Sequence, residues 1–119
     1  MPRILLVDDD SSLCMRYKTE FMAEGWEVVI AHNGFEAIEI IEKEDFDIVV
    51  LDIRMPGMDG ISALEKIAVK KRDLSVLINS AYSNYKDNFL TWLAEDYIIK
   101  SPDLTELKAK IKSILEEKS

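Results

Sequence analysis

The feature that most constrains the fold of this chain is an alternation of short apolar runs with longer amphipathic segments, repeated five times. The short runs are rich in β-branched residues, which is typical of strands buried on both faces of a sheet. The segments between them place apolar residues three or four positions apart, which is the spacing of one helix face. The predicted strands cover residues 4–7, 26–31, 48–51, 74–78 and 97–99.

An alternating order of strands and helices requires right-handed crossovers, which place helices on both faces of a parallel sheet. The common order for five such strands is 2-1-3-4-5. We therefore predict an α/β fold of the flavodoxin-like type, a doubly wound (βα)5 three-layer sandwich with a parallel five-stranded sheet. The length of 119 residues predicts a single domain over residues 1–119, with a core that needs no disulfide or metal.

Capping residues and glycines predict where the helices begin and end. Gly25 is expected to end the first helix, and Asn33 to cap the second. Residues 82–95 are predicted as a helix, although their four aromatic residues have mixed spacing. We expect Ser101 to cap the last helix, with Pro102 in its first turn.

Composition and the N-terminus argue against several classes of partner. The formal net charge of -8 argues against direct binding of nucleic acid, because phosphate backbones select basic surfaces. Cys14 is the single cysteine, so no internal disulfide can form and a reducing cytoplasm is the expected location. The first apolar run has only four residues, too few for a signal peptide or a membrane span.

Charged and polar side chains follow four of the five predicted strands. Asp8 and Asp9 come after the first strand, Asp52 after the third, Ser80 after the fourth and Lys100 after the fifth. The second strand, at the edge of the predicted order, ends in nothing reactive. Ligands of open α/β sheets bind at the carboxyl ends of the strands, so we expect these side chains to meet.

The acids also have simpler explanations. Asp10 or Ser11 can cap the first helix, and Asp52 can simply start a turn before Pro56 and Gly57. Capping does not explain why Asp8 and its neighbour crowd like charges at a strand end. The coincidence of polar residues at the central strand ends favours a functional site over turn formation.

Three converging carboxylates need a cation, since otherwise one of them would take up a proton. Mg²⁺ is the natural candidate, because it binds one or two carboxylates together with water and phosphate oxygens. Lys100 adds a point charge suited to phosphate, and Ser80 adds a hydroxyl that can donate to the same oxygens. A carboxylate nucleophile with a metal and a lysine suits phosphoryl transfer to an aspartate.

Four motifs taken together resemble a bacterial response-regulator receiver domain of two-component systems, similar to the chemotaxis regulators. The resemblance covers the chain from Arg3 to about Glu117. The motifs are Val7-Asp8-Asp9, Leu51-Asp52 with Met55-Pro56-Gly57-Met58-Asp59-Gly60, Ser80-Ala81, and Tyr97-Ile98-Ile99-Lys100.

The resemblance implies a phosphorelay function with named roles. Asp52 would accept a phosphoryl group from a sensor histidine kinase or a phosphotransfer protein. Asp8, Asp9, Asp52 and the backbone carbonyl of Arg54 would hold Mg²⁺. The domain would not be an enzyme beyond its own phosphoryl transfer and slow autodephosphorylation.

The resemblance also implies a switch and an output face. Lys100, Ser80 and Ala81 would contact the phosphoryl group, and Ser80 with Tyr97 would form the switch pair. A downstream protein or a second copy would bind the face made by residues 85–92 (Tyr85 to Trp92), Tyr97 to Ile99 and the C-terminal helix.

Two further residues are expected to tune the lifetime of the phosphoryl group. Arg54 and Tyr82 each lie two positions beyond a site residue, so each side chain can overhang the phosphoryl oxygens and hinder the attacking water. The chain departs from the family pattern after Lys100, where Ser101 stands in place of the usual proline. A cis bond there would cost about 3 kcal/mol, and the isomer is left open.

Three alternatives remain at this point. A flavodoxin-like electron carrier shares the predicted topology, but the acids after the first strand would repel a flavin phosphate. An aspartate-based phosphatase would place its nucleophile after the first strand, in an Asp-x-Asp arrangement with a following threonine. A receiver-like interaction module could signal without phosphorylation.

Overall fold

The computed structural model describes residues 1–53, 60–71, 73–81 and 93–118 of the chain. The strands are β1 (Arg3–Val7), β2 (Glu27–Ala31), β3 (Ile48–Leu51), β4 (Ser75–Ser80) and β5 (Asp96–Ile99), and the helices within the described residues are α1 (Ser11–Ala23), α2 (Gly34–Lys43), α3 (Gly60–Lys70) and α4 (Thr105–Lys118). The strands form one parallel sheet in the order β2-β1-β3-β4-β5, which confirms the predicted fold.

The two faces of the sheet are buried against different helices. Leu6 lies in a cluster with Phe21 of α1 and Ile111 of α4. Its neighbour Leu5 points to the other face and lies in a second cluster with Leu64 of α3. Successive side chains of a strand project to opposite faces, so a continuous apolar run supplies both clusters at once.

The register of the central strands brings the acids to one edge. Val7 of β1 lies opposite Leu51 of β3, and each is followed directly by an aspartate. Both apolar residues are fully buried. Burial therefore fixes the register, because a slip of one residue would turn each apolar side chain to the other face.

The predicted ends of the first two helices are confirmed. Asp10 caps α1, and its Oδ1 accepts a hydrogen bond from the backbone nitrogen of Leu13 at 3.1 Å. Asn33 caps α2 in the same way, and its Oδ1 accepts from Glu36 N at 2.9 Å. Gly25 follows α1 with a φ of 89°, a conformation that glycine adopts without steric cost.

The predicted start of the last helix is wrong. Helix α4 begins at Thr105, and the backbone nitrogen of Thr105 donates to Asp103 Oδ1 at 2.9 Å. The hydroxyl of Ser101 instead accepts from Asp103 N at 3.2 Å, a local turn that competes with capping. Pro102 therefore lies in the connection before the helix rather than in its first turn.

Strand β4 is longer than predicted, since it continues through Asn79 to Ser80. The predicted helix over residues 82–95 falls largely outside the described residues. No helix in the described part of the chain is long and apolar enough to cross a membrane.

Candidate functional site at the carboxyl edge of the sheet

Three carboxylates meet where β1 and β3 end. One oxygen from each of Asp8, Asp9 and Asp52 lies within 4.8 Å of the other two. Asp8 is 2% exposed and Asp52 is 7% exposed, whereas Asp9 is exposed to solvent. Carboxylate oxygens at this spacing are the donors that Mg²⁺ prefers, and the open side at Asp9 leaves room for water ligands. The acidic cluster therefore fits a magnesium site.

Backbone hydrogen bonds place the two buried acids just beyond the sheet ladder. Asp8 N donates to Ala31 O at 3.1 Å, and Asp52 N donates to Val7 O at 2.9 Å. The carboxylate of Asp8 is held in turn, because its Oδ1 accepts from Asp10 N at 3.0 Å. Both acids thus continue the strand direction for one residue, with their side chains at the lip of the sheet.

Gly60 lets helix α3 start directly against the Asp52 backbone. A Cβ atom at Gly60 would lie 1.9 Å from the Cα atom of Ile53 and 2.6 Å from the carbonyl oxygen of Asp52. Gly60 N also donates to Ile53 O at 2.9 Å. This close approach excludes any side chain, so glycine is required for the position of Asp52.

Lys100 reaches into the carboxylate cluster from β5. Its Nζ lies 2.7 Å from Asp8 Oδ2 and 3.1 Å from Asp52 Oδ2. Burial lowers the pKa of Lys100, but hydrogen bonds and charge from Asp8 and Asp52 outweigh burial and leave the pKa above its ordinary value. The amine is therefore cationic at neutral pH and offsets part of the negative charge of the acids.

A hydrogen bond to β4 holds the backbone at Lys100 in place. Lys100 N donates to Ser80 O at 2.7 Å, which fixes the end of β5 to the end of β4. The bond between Lys100 and Ser101 is trans, as are all peptide bonds among the described residues. The substitution of serine for the family proline therefore leaves the lysine within reach of the acids.

Ser80 and Tyr97 lie on the same face of the sheet. Ser80 is fully buried at the last position of β4, and Ala81 directly after it is exposed. Tyr97 pairs with Ile78, two residues before Ser80, and both pack against the second hydrophobic cluster. Side chains two residues apart on a strand share a face, so Ser80 and Ile78 project to the same side. Ser80 and Tyr97, the partner of Ile78, therefore lie on one face of the sheet.

Other predicted site residues lie outside the described residues. One is Arg54, whose backbone carbonyl is predicted to bind the metal. Arg54 and Tyr82, the other such residue, are also predicted to set the lifetime of the phosphoryl group. The segment from Tyr85 to Trp92 of the expected output face is also outside them. The roles given to these residues stay predictions.

Sequence reasoning missed two buried polar side chains beneath the site. Cys14 Sγ donates to the carbonyl oxygen of Asp8 at 3.4 Å. Asn79 Nδ2 donates to Tyr17 OH at 3.1 Å. A signal for the second contact was present, because an amide is unusual within an otherwise apolar buried strand.

The sequence matches the family described as response regulator receiver domain over residues 4–112. The chain belongs to this family. The receiver domain is 36% identical over 116 residues to the transcriptional regulatory protein PrrA of Mycobacterium tuberculosis, covering 96% of this chain and 50% of PrrA. The chain thus spans about half the length of this curated relative.

Solved structures of response regulators share the fold of this receiver domain. The response regulator TrrA of Thermotoga maritima, in complex with Mg²⁺ and BeF, has a TM-score of 0.93 and 38% identity, covering 96% of this chain and 99% of TrrA. TrrA in complex with the histidine kinase ThkA has a TM-score of 0.91 and 39% identity, covering 97% of this chain and 99% of TrrA.

Membership of the family identifies the chain as a signalling domain of a phosphorelay. It favours this function over the flavodoxin-type electron carrier and the aspartate-based phosphatase, which shared only parts of the sequence pattern. The site geometry agrees, because acids, lysine and serine lie at the same edge of the sheet.

Proposed function

We propose that this domain accepts a phosphoryl group on Asp52 from a sensor histidine kinase or a phosphotransfer protein. The observation that carries the proposal is the placement of Asp52, a largely buried carboxylate 3.1 Å from Lys100 Nζ and clustered with Asp8 and Asp9. A carboxylate oxygen of Asp52 would attack phosphorus, forming an O–P bond as the bond from phosphorus to the donor breaks. The complex of TrrA with ThkA supports a kinase as the donor.

Asp8, Asp9 and Asp52, with the carbonyl of Arg54, would hold Mg²⁺ in this domain. A bound Mg²⁺ would neutralise charge on the phosphoryl oxygens and on the attacking carboxylate. The Mg²⁺ and BeF present in the TrrA complex support this assignment, since that protein shares the fold at 38% identity. Asp8 and Asp52 both bond Lys100, so the amine is already placed beside the oxygen that would carry phosphorus.

Lys100 and the strand β4 end would then recognise the phosphoryl group. Lys100 would transfer its contact from the Asp52 carboxylate to a phosphoryl oxygen, which requires only rotation about its side-chain bonds. The hydroxyl of Ser80 and the backbone after it, at Ala81, would contact the other oxygens. Phosphorylation adds about -1.5 to -2 charges, which attract these donors.

Phosphorylation would change the output face, the surface that includes β5 and α4 and binds the next protein. Movement of Ser80 toward the phosphoryl group would free space that Tyr97, on the same sheet face, could enter. Such a change of packing can be bistable. A downstream protein or a second copy would bind this face, together with residues 85–92, and Arg54 and Tyr82 would set how long the phosphoryl group lasts.

The remaining assignments follow from the same function. We propose one receiver domain over residues 1–119 that works in the cytoplasm and has no enzymatic turnover beyond its own phosphorylation and dephosphorylation. Its net charge of -8 supports protein partners rather than direct contact with nucleic acid.

The proposal is tested by phosphorylation with acetyl phosphate and Mg²⁺, followed by intact mass spectrometry. We expect one phosphoryl group on the wild type and none on Asp52→Asn or after chelation of Mg²⁺. The matched control is Asp73→Asn, an exposed aspartate just before β4 at the other end of the sheet, which should be labelled like the wild type. Labelling that persists in Asp52→Asn would contradict the proposal. A wild type that is never labelled would instead favour an interaction module that signals without phosphorylation.

A further inference from the structure

A buried hydrogen bond joins helix α1 to strand β4 beneath the site. Asn79 Nδ2 donates to Tyr17 OH at 3.1 Å, and the two residues are 3% and 2% exposed. Tyr17 belongs to the hydrophobic cluster between the sheet and helices α1 and α4, and so does Leu77, which precedes Asn79 by two residues and shares its face of β4. A polar pair in such surroundings is costly unless its hydrogen bond is made, so its geometry is tightly held.

The position of Asn79 connects this bond to the phosphoryl site. Asn79 directly precedes Ser80, and the carbonyl oxygen of Ser80 accepts from Lys100 N at 2.7 Å. Asn79 and Ser80 project to opposite faces of the sheet, so the amide itself does not reach the site. Anchoring the Asn79 side chain therefore anchors the backbone that carries both Ser80 and Lys100.

The same helix also holds the acidic side of the site. Cys14, three residues before Tyr17, donates from Sγ to the carbonyl oxygen of Asp8 at 3.4 Å. One face of α1 thus contacts the ends of β1 and β4, the two strands on either side of β3 and Asp52. The helix spans the distance between the acids and the Ser80 backbone.

We propose that Tyr17 is a positioning residue for phosphoryl binding, and that it acts through Asn79. The hydrogen bond sets the end of β4, and with it Ser80 and Lys100, at a fixed distance from the carboxylates of β1 and β3. This inference rests on the proposed function of Asp52 as phosphoacceptor. The proposed Mg²⁺ ligands, the three acids and the carbonyl of Arg54, follow β1 and β3 in the sequence rather than β4, so metal binding should not depend on the Tyr17 hydroxyl.

A cavity beside Tyr17 allows the positioning role of its hydroxyl to be tested without unfolding the domain. The cavity has a volume of about 380 Å³ and is lined by Tyr17 and Asn79 together with Ile98, Ser101 and Leu104. If the hydroxyl is removed, water can enter this space and satisfy the amide. We therefore expect Tyr17→Phe to fold normally while losing the hydrogen bond to Asn79.

The experiment compares two ligands on the full chain. Calorimetry gives the affinity of Tyr17→Phe for Mg²⁺, and then for beryllofluoride at saturating Mg²⁺. We expect the Mg²⁺ affinity to stay within about twofold of the wild type, since single neutral contacts outside a site change affinity little. The beryllofluoride affinity should fall about three- to tenfold, as expected for one lost neutral hydrogen bond.

Two further variants separate positioning from stability. Ile111→Val shortens a fully buried side chain of the same cluster on α4, so it should lower stability but leave beryllofluoride affinity unchanged. The double variant Tyr17→Phe with Asn79→Leu removes both partners, so it should unfold at a urea concentration close to that of the wild type. Its beryllofluoride affinity should remain as weak as that of Tyr17→Phe.

Three results would overturn the inference. One is a Tyr17→Phe variant that binds beryllofluoride as tightly as the wild type. Another is a Tyr17→Phe variant whose affinity for Mg²⁺ falls by the same factor as its affinity for beryllofluoride. The third is an equal loss of beryllofluoride affinity in Ile111→Val, which would indicate general softening of the core. A wild type that neither binds beryllofluoride nor becomes phosphorylated would overturn the proposed function itself, and it is recognised without any variant.

Discussion

Cys14 shows how one buried side chain can support the site without taking part in chemistry. It is 1% exposed, and its thiol donates to the carbonyl oxygen of Asp8. Burial, followed by the negative charge of Asp8, raises the pKa of the Cys14 thiol from 9.0 to about 11. The nucleophilic form of cysteine is the thiolate, so this side chain is a structural donor rather than a reactive group.

We predict slow alkylation of Cys14 by iodoacetamide at pH 8. The rise in pKa from 9.0 to about 11 makes the thiolate roughly a hundredfold scarcer, and burial restricts access further. The control is Ser12→Cys in a Cys14→Ala background, which places an exposed thiol on the same turn and should react rapidly. Mass spectrometry gives both rates. Equal rates in the folded state would contradict the assigned environment of Cys14.

The raised pKa also has a consequence for stability. A thiol that holds its proton more tightly in the folded chain stabilises it fully below pH 9.0, and this contribution is lost as the pH rises toward about 11. Cys14→Ala should therefore show a shallower loss of stability across that window than the wild type.

At the scale of elements, helix α2 begins at a cap in which the side chains of Asn33 and Glu36 bond each other. Asn33 Oδ1 accepts from Glu36 N at 2.9 Å, and Asn33 Nδ2 donates to Glu36 Oε2 at 3.1 Å. The helix follows β2, which forms the edge of the sheet next to β1. This cap therefore stabilises the fold without contacting the carboxylates.

We predict that Asn33→Ala lowers the free energy of unfolding by about 1 kcal/mol, because the first turn of α2 loses its side-chain acceptor. Asn33→Ser is the matched control and should retain most of the stability, since its hydroxyl can accept the same bond. Urea unfolding measures the change, and Mg²⁺ affinity should be the same in both variants. A drop in Mg²⁺ affinity in Asn33→Ala would show that α2 is coupled to the site.

Over the whole molecule, the distribution of charge couples folding to cation binding. The chain has a formal net charge of -8, and three of its carboxylates lie within 4.8 Å of one another. Within the described residues, Lys100 sets one positive charge against these three carboxylates and contacts two of them. Like charges held this close oppose folding, and a bound cation removes that opposition.

We predict that Mg²⁺ stabilises the folded domain. At a Mg²⁺ concentration about 100 times its Kd, the free energy of unfolding should rise by about 2.7 kcal/mol, because the ion binds only the folded cluster. Thermal unfolding with MgCl₂ should show a higher Tm than with KCl at the same ionic strength. Asp9→Asn removes the exposed acid and should need more Mg²⁺ for the same shift. An identical response to both salts would rule out a specific site.

Prediction from sequence worked best where burial of a continuous apolar run decides the local structure. The buried runs before Asp8 and Asp52 had to be strands, and parallel strands had to end at the same edge. It failed at Ser101, because Ser101 and Asp103 both precede the last helix and either side chain could have accepted its first backbone N–H. Asp103 lies closer to Thr105 and accepts the helical nitrogen, which leaves the Ser101 hydroxyl to make a turn.

The sequence by itself determined the parallel sheet, its order and the edge where the acids meet, because apolar periodicity and burial act on each segment separately. Only the tertiary structure decided that Lys100 bonds both Asp8 and Asp52, and that Asn79 finds Tyr17 across 62 residues of sequence. These contacts depend on how elements pack against one another. The pattern within one element specifies which face is buried, and the partner on that face is selected by the three-dimensional fit of the core.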